Sequence, residues 1–126
     1  MAQTMTRAKY GNIETVIDGI TFDSRAESRR YVELKLLEAA GEIEALELHP
    51  VYMLREKHKS VTGRSIPKWT YTADFRYYEV NSQSIVVEDV KGFDRRTGKP
   101  ILTRGFQLAR NQLEYLYPVE LRIVEA

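Results

Sequence analysis

Apolar and polar positions along the chain alternate in short runs that predict strands, with two longer runs at helical spacing. In the first run, Val16-Ile17 and Ile20-Thr21-Phe22 flank Asp18-Gly19. An Asp-Gly pair between β-forming residues predicts a two-residue hairpin turn. Residues 1–10 before it are predicted to form a flexible or loosely attached arm, and residues 11–126 a single domain.

A first helix is predicted to begin at Ser24, because Glu27 follows three residues later at the spacing of a capping box. Gly41 predicts the end of this helix near Ala39-Ala40. One side of the helix is predicted to pack on a core, through residues that share one arc: Tyr31, Leu34 and Leu37.

Residues 43–54 alternate for much of their length and predict a strand that is bent or interrupted at Pro50. A polar, basic loop with Gly63 and Pro67 as breakers is predicted over residues 55–68. Residues 69–78 are then predicted to form one strand by composition and alternation. Its faces are predicted to carry Tyr71, Ala73, Phe75 and Tyr77 on one side, and Thr70, Thr72, Asp74 and Arg76 on the other.

The second half of the chain continues the pattern with a buried-looking strand and an amphipathic helix. The predicted elements are a turn at 81–84, a strand at 85–91, a basic loop at 92–100, a helix at 103–117 stopped by Pro118, and a strand at 119–124. The order is hairpin, helix, three strands, helix and strand. This order predicts an α/β fold, with a mixed central sheet flanked by helices and an N-terminal β-hairpin.

The composition narrows the class of protein. A chain of 126 residues with 43% hydrophobic and 29% charged residues is typical of one soluble globular domain. It contains no cysteine, which excludes disulfides, thiolate nucleophiles and cysteine-based zinc sites. Its two histidines, His49 and His58, show no partner pattern and are assigned no role. The apolar runs are too short for a membrane span or a signal peptide, so we expect no membrane partner and a cytoplasmic location.

Net charge is only +1, but the charges are segregated along the chain. Residues 27–50 carry six acidic and three basic side chains. Residues 51–70 carry five basic and one acidic, and residues 91–110 carry six basic and one acidic. Such basic segments suit a phosphate-binding face, although two solvated basic loops would give the same pattern.

The residues that carry candidate chemistry lie on two successive predicted strands. Asp89 and Lys91 are two apart and so leave their strand on one face, with Glu88 and Val90 on the other. The short turn between the strands makes them neighbours, so Asp74 is expected to approach Asp89 at about 5 Å between their Cβ atoms.

Two carboxylates this close repel each other unless a cation lies between them. Oxygen ligands suit Mg²⁺ or Mn²⁺, and such an ion can polarise a phosphodiester. Lys91 beside it would orient water and stabilise negative charge on the phosphoryl oxygens. The residue types therefore match metal-assisted phosphodiester hydrolysis. A cross-strand salt bridge of Asp74 or Asp89 with Lys91, without catalysis, is the structural alternative.

The segments Ala73-Asp74-Phe75 and Val87-Glu88-Asp89-Val90-Lys91-Gly92 resemble the core motif of the PD-(D/E)XK nuclease superfamily. Further segments resemble a small phage-encoded family within it, whose members are often catalogued as phage proteins of unknown function. These segments are Asp18 to Glu27, the Tyr31 to Glu38 helix, and Tyr115-Leu116-Tyr117-Pro118. The likeness begins at about Ile17 and covers most of the chain after it.

The resemblance implies a restriction-endonuclease-like core, with Asp74 and Asp89 as metal ligands and Lys91 as the catalytic lysine. Ala73 stands where the superfamily name has proline. Glu88 could replace Asp89 in a shifted register, but its parity relative to Lys91 favours Asp89. Glu27 matches a glutamate that the superfamily often supplies from its first helix, as a further catalytic and metal-binding residue. The alternative is that Glu27 only caps that helix.

The expected function is therefore a Mg²⁺- or Mn²⁺-dependent DNA endonuclease in phage DNA recombination, replication or repair. A dimeric enzyme of this size would suit junctions or branched DNA, while single-stranded and flap substrates are equally open. No small-molecule cofactor is expected. Candidate DNA-binding residues are Arg95, Arg96, Lys99, Arg104 and Arg110. The alternatives are a non-catalytic nucleic-acid-binding protein that retains the fold, and a protein-interaction module with an incidental ion pair.

Overall fold

The structure, a computed structural model, describes residues 3–7 and 13–126, with side chains from residue 14 onward. The strands are β1 (Gln3–Arg7), β2 (Ile13–Ile17), β3 (Ile20–Phe22), β4 (Ile43–Leu48), β5 (Val51–Arg55), β6 (His58–Lys59), β7 (Ser65–Ile66), β8 (Trp69–Thr72), β9 (Phe75–Glu79), β10 (Ser84–Lys91) and β11 (Val119–Glu125). The helices are α1 (Arg25–Ala39) and α2 (Arg104–Leu116).

A four-stranded mixed sheet, in the order β11-β10-β9-β4, forms the centre of the fold. Only its β10–β11 pair is parallel. Val86 and Val87 are both fully buried, yet they pack in different clusters, because successive residues of a strand face opposite sides. Val86 packs with Leu34 of α1, and Val87 packs with Leu113 of α2. The predicted α/β fold with a helix on each face of a mixed sheet is confirmed.

The N-terminal hairpin of β2 and β3 also agrees with the prediction, with Asp18 and Gly19 at φ 54° and 77° in the turn. Residues 3–7 form β1, which pairs antiparallel with β2 and extends the hairpin to three strands. The predicted arm over residues 1–10 did not include this strand. Its remaining residues, 1–2 and 8–10, lie outside the described part of the chain.

Both ends of α1 follow the local sequence. Ser24 is the N-cap, and its Oγ accepts a hydrogen bond from the Glu27 amide at 3.1 Å. At the other end, the Gly41 and Glu42 amides donate to the carbonyl oxygens of Glu38 and Leu37. This is the pattern of a Schellman motif, in which Gly41 adopts φ 78° without strain.

β4–β5 and β8–β9 form one long antiparallel ribbon that bends in the middle. The ladder runs through the bend, where the His49 amide donates to Asp74 O at 3.0 Å and the Ala73 amide donates to Pro50 O at 3.1 Å. The predicted interruption at Pro50 is confirmed. The prediction of one continuous strand over residues 69–78 is wrong, because the strand is interrupted at Ala73 and Asp74, opposite the interruption at His49 and Pro50.

The bend also changes which side of the molecule each residue faces. Phe75 and Tyr77 pack in the α1-side cluster, whereas Tyr71 and Ala73 pack on the α2 side. The prediction that these four side chains share one face is therefore wrong. Residues 55–68, predicted as a loop, contain the short hairpin β6–β7 at the far end of the ribbon. No helix within residues 13–126 is long and apolar enough to cross a membrane.

Candidate metal centre

The ribbon bend places His49 and Asp74 opposite each other at the end of the central sheet. His49 adopts φ 50°, a left-handed backbone conformation that is uncommon for a residue with a side chain. It lies between β4 and β5, and Asp74 lies between β8 and β9. Two strand interruptions that face each other therefore supply two polar side chains to one place.

Helix α1 adds Glu27 from its first turn. Glu27 is buried, and its Oε1 lies 2.8 Å from His49 Nε2. One ligand atom from each of Glu27, His49 and Asp74 lies within 4.8 Å of the others. Glu27 consequently contributes a side chain to this cluster in addition to its backbone role at the helix start.

Asp89 lies on β10 directly beside Asp74, as the predicted strand pairing requires. The Asp74 amide donates to Asp89 Oδ1 at 3.1 Å, and the Val90 amide donates to Asp74 Oδ2 at 2.7 Å. Each carboxylate thus uses one oxygen to accept a backbone hydrogen bond from the other strand. Asp89 stands next to the group of Glu27, His49 and Asp74 without being part of it, so its role as a ligand stays a prediction.

Lys91 ends β10, two residues beyond Asp89 on the same face. Its Nζ lies 4.2 Å from the centre of the Phe106 ring, a cation–π contact with α2. The ammonium charge opposes the rise in the pKa of both Asp74 and Asp89. The structure therefore brings Glu27 and Asp74 together, places Asp89 beside Asp74 on the adjoining strand, and places Lys91 at the end of that strand.

Burial sets the electrostatics of this cluster. Burial, followed by the charge of Asp74, raises the pKa of Glu27, with the hydrogen bond from His49 opposing the shift. Burial likewise raises the pKa of Asp74. It raises the pKa of Asp89 to about 6, against the nearby charge of Lys91. Burial disfavours the ionised form of three neighbouring carboxyl groups, and a bound cation would stabilise that form.

The donor set fits a divalent ion on these observations. Glu27, His49 and Asp74 already converge, and Asp89 retains a second oxygen beside them. Carboxylate oxygens suit Mg²⁺ and Mn²⁺, and an imidazole nitrogen suits transition metals.

His49, for which the sequence predicts no role, lies in the cluster with Glu27 and Asp74. The available signal was its position next to Pro50, at the predicted interruption of a strand. The alternative residue Glu88 points away from the cluster and is fully buried against Arg30 and Tyr77 on the α1 side. Asp89 and Glu88 thus leave β10 on opposite faces, as the alternation of side chains along a strand predicts.

The predicted DNA-binding residues lie in two settings. Arg95, Arg96 and Lys99 are exposed in the loop after β10, and Arg104 is exposed at the start of α2. Arg110 is half-buried, and its guanidinium donates to Leu121 O at 3.2 Å, which ties α2 to β11. DNA contacts by these residues stay predictions.

The fold and the cluster define a mixed α/β protein with carboxyl, imidazole and ammonium groups gathered at one end of its sheet. Residues 7–120 match the family described as Protein of unknown function (DUF1064), and the chain belongs to that family. Searches of curated proteins and of solved structures found no match.

Proposed function

We propose that the protein is a divalent-metal-dependent endonuclease that hydrolyses phosphodiester bonds in DNA. The observation that carries the proposal is the convergence of Glu27, His49 and Asp74, with Asp89 and Lys91 on the neighbouring strand. A purely structural ion pair does not require three buried or half-buried carboxyl groups in one place. The sequence resemblance to PD-(D/E)XK nucleases supports the same reading, including a restriction-endonuclease-like core.

In this mechanism Glu27, Asp74 and Asp89 would hold the ion through oxygens that their hydrogen bonds leave available. When bound, a divalent ion supplies Lewis acidity toward a phosphoryl oxygen and lowers the pKa of water. The chain holds these carboxylates on α1, at the ribbon bend and on β10, so their positions are fixed before substrate arrives.

Lys91 has the complementary task of stabilising negative charge. Its Nζ–H groups can donate to the oxygens of the phosphate as charge accumulates there, and to the attacking water. The contact with the Phe106 ring limits where the ammonium can move. Lys91 is therefore proposed to act on the reacting phosphate and not on the ion.

Basic side chains outside the cluster are proposed to bind the phosphates of the DNA backbone. Lys57, Lys59, Arg64 and Lys68 are exposed around the β6–β7 hairpin, and no ion pair within residues 13–126 holds them. Arg95 and Arg96 are exposed in the loop that follows Lys91. Neutralising phosphates with such side chains releases counterions and gives salt-dependent binding.

The test is incubation of purified protein with single-stranded, duplex, flap and four-way DNA in Mg²⁺, Mn²⁺ or EDTA. Wild type should cleave at least one substrate with a divalent ion, and Lys91→Ala should lose about 100-fold or more of the rate. Lys35→Ala, on the exposed side of α1, is the control and should cleave normally. Cleavage that persists in EDTA, or is unaffected by Lys91→Ala, would reject the mechanism.

A non-catalytic nucleic-acid-binding protein is the second candidate, favoured by the same exposed basic side chains. Asp89→Ala separates the two. If the protein is an enzyme, wild type cleaves DNA, and the variant still binds DNA but no longer cleaves it. If it is only a binding protein, wild type itself cleaves no substrate under any ionic condition.

A further inference from the structure

His49 adds a nitrogen donor to a group that is otherwise made of carboxylate oxygens. We propose that His49 is a direct ligand of the bound ion and makes the site select Mn²⁺ over Mg²⁺. This inference rests on the proposed function for the existence of the ion, and it specifies which ion is used.

The backbone is built to present His49 at this place. A left-handed conformation is unfavourable at a residue with a side chain. At His49 it is held by two ladder hydrogen bonds, from the His49 amide to Asp74 O and from the Ala73 amide to Pro50 O. His49 is one of four non-glycine residues with positive φ in the described part of the chain, and its side chain enters the cluster. Its side chain is 46% exposed, so the imidazole is accessible to an ion from solvent.

The contacts of the imidazole fit a ligand. Nε2 faces Glu27 Oε1 at 2.8 Å, a hydrogen-bond distance, and a ring nitrogen of His49 lies within 4.8 Å of an Asp74 oxygen. Nε2 must lose its proton to bind a cation, and in the neutral ring that proton can reside on Nδ1. Glu27 and Asp74 then face the same ion as His49.

The donor chemistry separates Mn²⁺ from Mg²⁺. Mg²⁺ binds oxygen ligands and retains its waters, so an imidazole contributes little to its affinity. Transition-metal ions accept imidazole nitrogen, and among them Mn²⁺ also suits a set dominated by carboxylates. Carboxylates with one imidazole therefore favour Mn²⁺ over Mg²⁺, with a preference that depends on His49.

The experiment measures ion binding to the full chain without DNA. By titration calorimetry, wild type should bind Mn²⁺ at least about tenfold more tightly than Mg²⁺. His49→Asn should lose most of that preference, with Mg²⁺ affinity changed less than about threefold. Asparagine tolerates the left-handed backbone better than most residues, so this variant should keep the bend. His58→Ala, which removes the other histidine, should behave as wild type.

Electron spin-echo spectroscopy of bound Mn²⁺ gives a second, independent readout. Wild type and His58→Ala should show coupling to an imidazole nitrogen, and His49→Asn should lose it. Unchanged Mn²⁺ preference in a folded His49→Asn, or no nitrogen coupling in wild type, would overturn the inference. Nitrogen-coupled Mn²⁺ without cleavage of any DNA would reject the nuclease and leave the ion assignment standing. Cleavage of DNA without nitrogen coupling would support the nuclease and reject His49 as a ligand.

Discussion

Arg30 of α1 donates to both carboxylate oxygens of Glu88 on β10, with 2.8 Å from Nε to Oε1 and 2.6 Å from Nη2 to Oε2. Glu88 is fully buried and also accepts from the Tyr77 hydroxyl. Arg30 lies one helical turn after Glu27, and Glu88 is the neighbour of Asp89. The pair therefore locks the helix that carries one site residue onto the strand that carries two others.

Glu88→Gln should destabilise the protein by about 2–4 kcal/mol, because it leaves the Arg30 charge without its buried partner. Urea unfolding measures this. Glu33→Gln is the matched control, since Glu33 contacts the same guanidinium at 2.9 Å but is 61% exposed. It should cost less than about 1 kcal/mol. Equal effects of the two variants would contradict the structural role given to Glu88.

Asp89→Asn should stabilise the protein in EDTA at neutral pH. Burial raises the pKa of Asp89 from its ordinary 3.8 to about 6. A carboxyl with a raised folded-state pKa costs nothing below pH 4, where it is protonated in both states, and its penalty grows from about pH 4 to pH 6. The variant removes the charge and can keep the hydrogen bond from the Asp74 amide.

The gain in unfolding free energy should be about 1–3 kcal/mol at pH 7.5 and close to zero at pH 4. Denaturant unfolding at both pH values measures it. Glu56→Gln, at an exposed position, is the control and should show no such pH dependence. A gain of the same size at both pH values would show that the ionised carboxylate is not the cause.

Gly41→Ala should destabilise the protein by about 1 kcal/mol, although a Cβ there would meet no atom within 4 Å. The cost is conformational, because Gly41 has φ 78°. Gly105→Ala makes the same chemical change inside α2, also into open space, and should instead stabilise by up to about 1 kcal/mol. Thermal unfolding of both variants tests the pair. Effects of the same sign would argue against the helix end described for α1.

Lys59→Ala combined with Arg64→Ala should weaken DNA binding and reduce its dependence on salt. Each lost phosphate contact lowers the slope of log K against log salt by about 0.9, so two should lower it by about 2. Fluorescence anisotropy at several KCl concentrations in EDTA measures the slope. Arg29→Ala combined with Lys35→Ala makes the same charge change on α1 and should leave the slope unchanged. Matching slopes in the two double variants would remove the β6–β7 hairpin from the DNA-binding surface.

The elements that the sequence predicts correctly depend on residues close to one another along the chain. The Asp18-Gly19 turn, the Ser24 cap and the Gly41 end each depend on residues within one turn of the chain. The pairing of Asp74 with Asp89 was also accessible, because a short turn joins their strands. Local chemistry therefore predicted most of the fold and the acidic pair.

The bend of the ribbon was only half predictable. Pro50 predicts an interruption of its own strand. The matching interruption at Asp74 is imposed by the partner strand, and the alternation of apolar and polar residues over 69–78 gives no sign of it. His49 was missed for the same reason, since its partner Glu27 lies 22 residues earlier and meets it only after the helix packs. Whether Glu27 caps the helix or enters the cluster was likewise decided by tertiary contact.

The bend has a consequence for how relatives of this chain can diverge. Residues 55–68 extend the ribbon beyond β5 and β8, which are paired from Val51 with Thr72 outward. Lengthening or shortening this tip leaves the pairing at His49 and Asp74 in register. Insertions and deletions in residues 55–68 are therefore expected to change the reach of the ribbon without changing the spacing of the donor atoms at its bend.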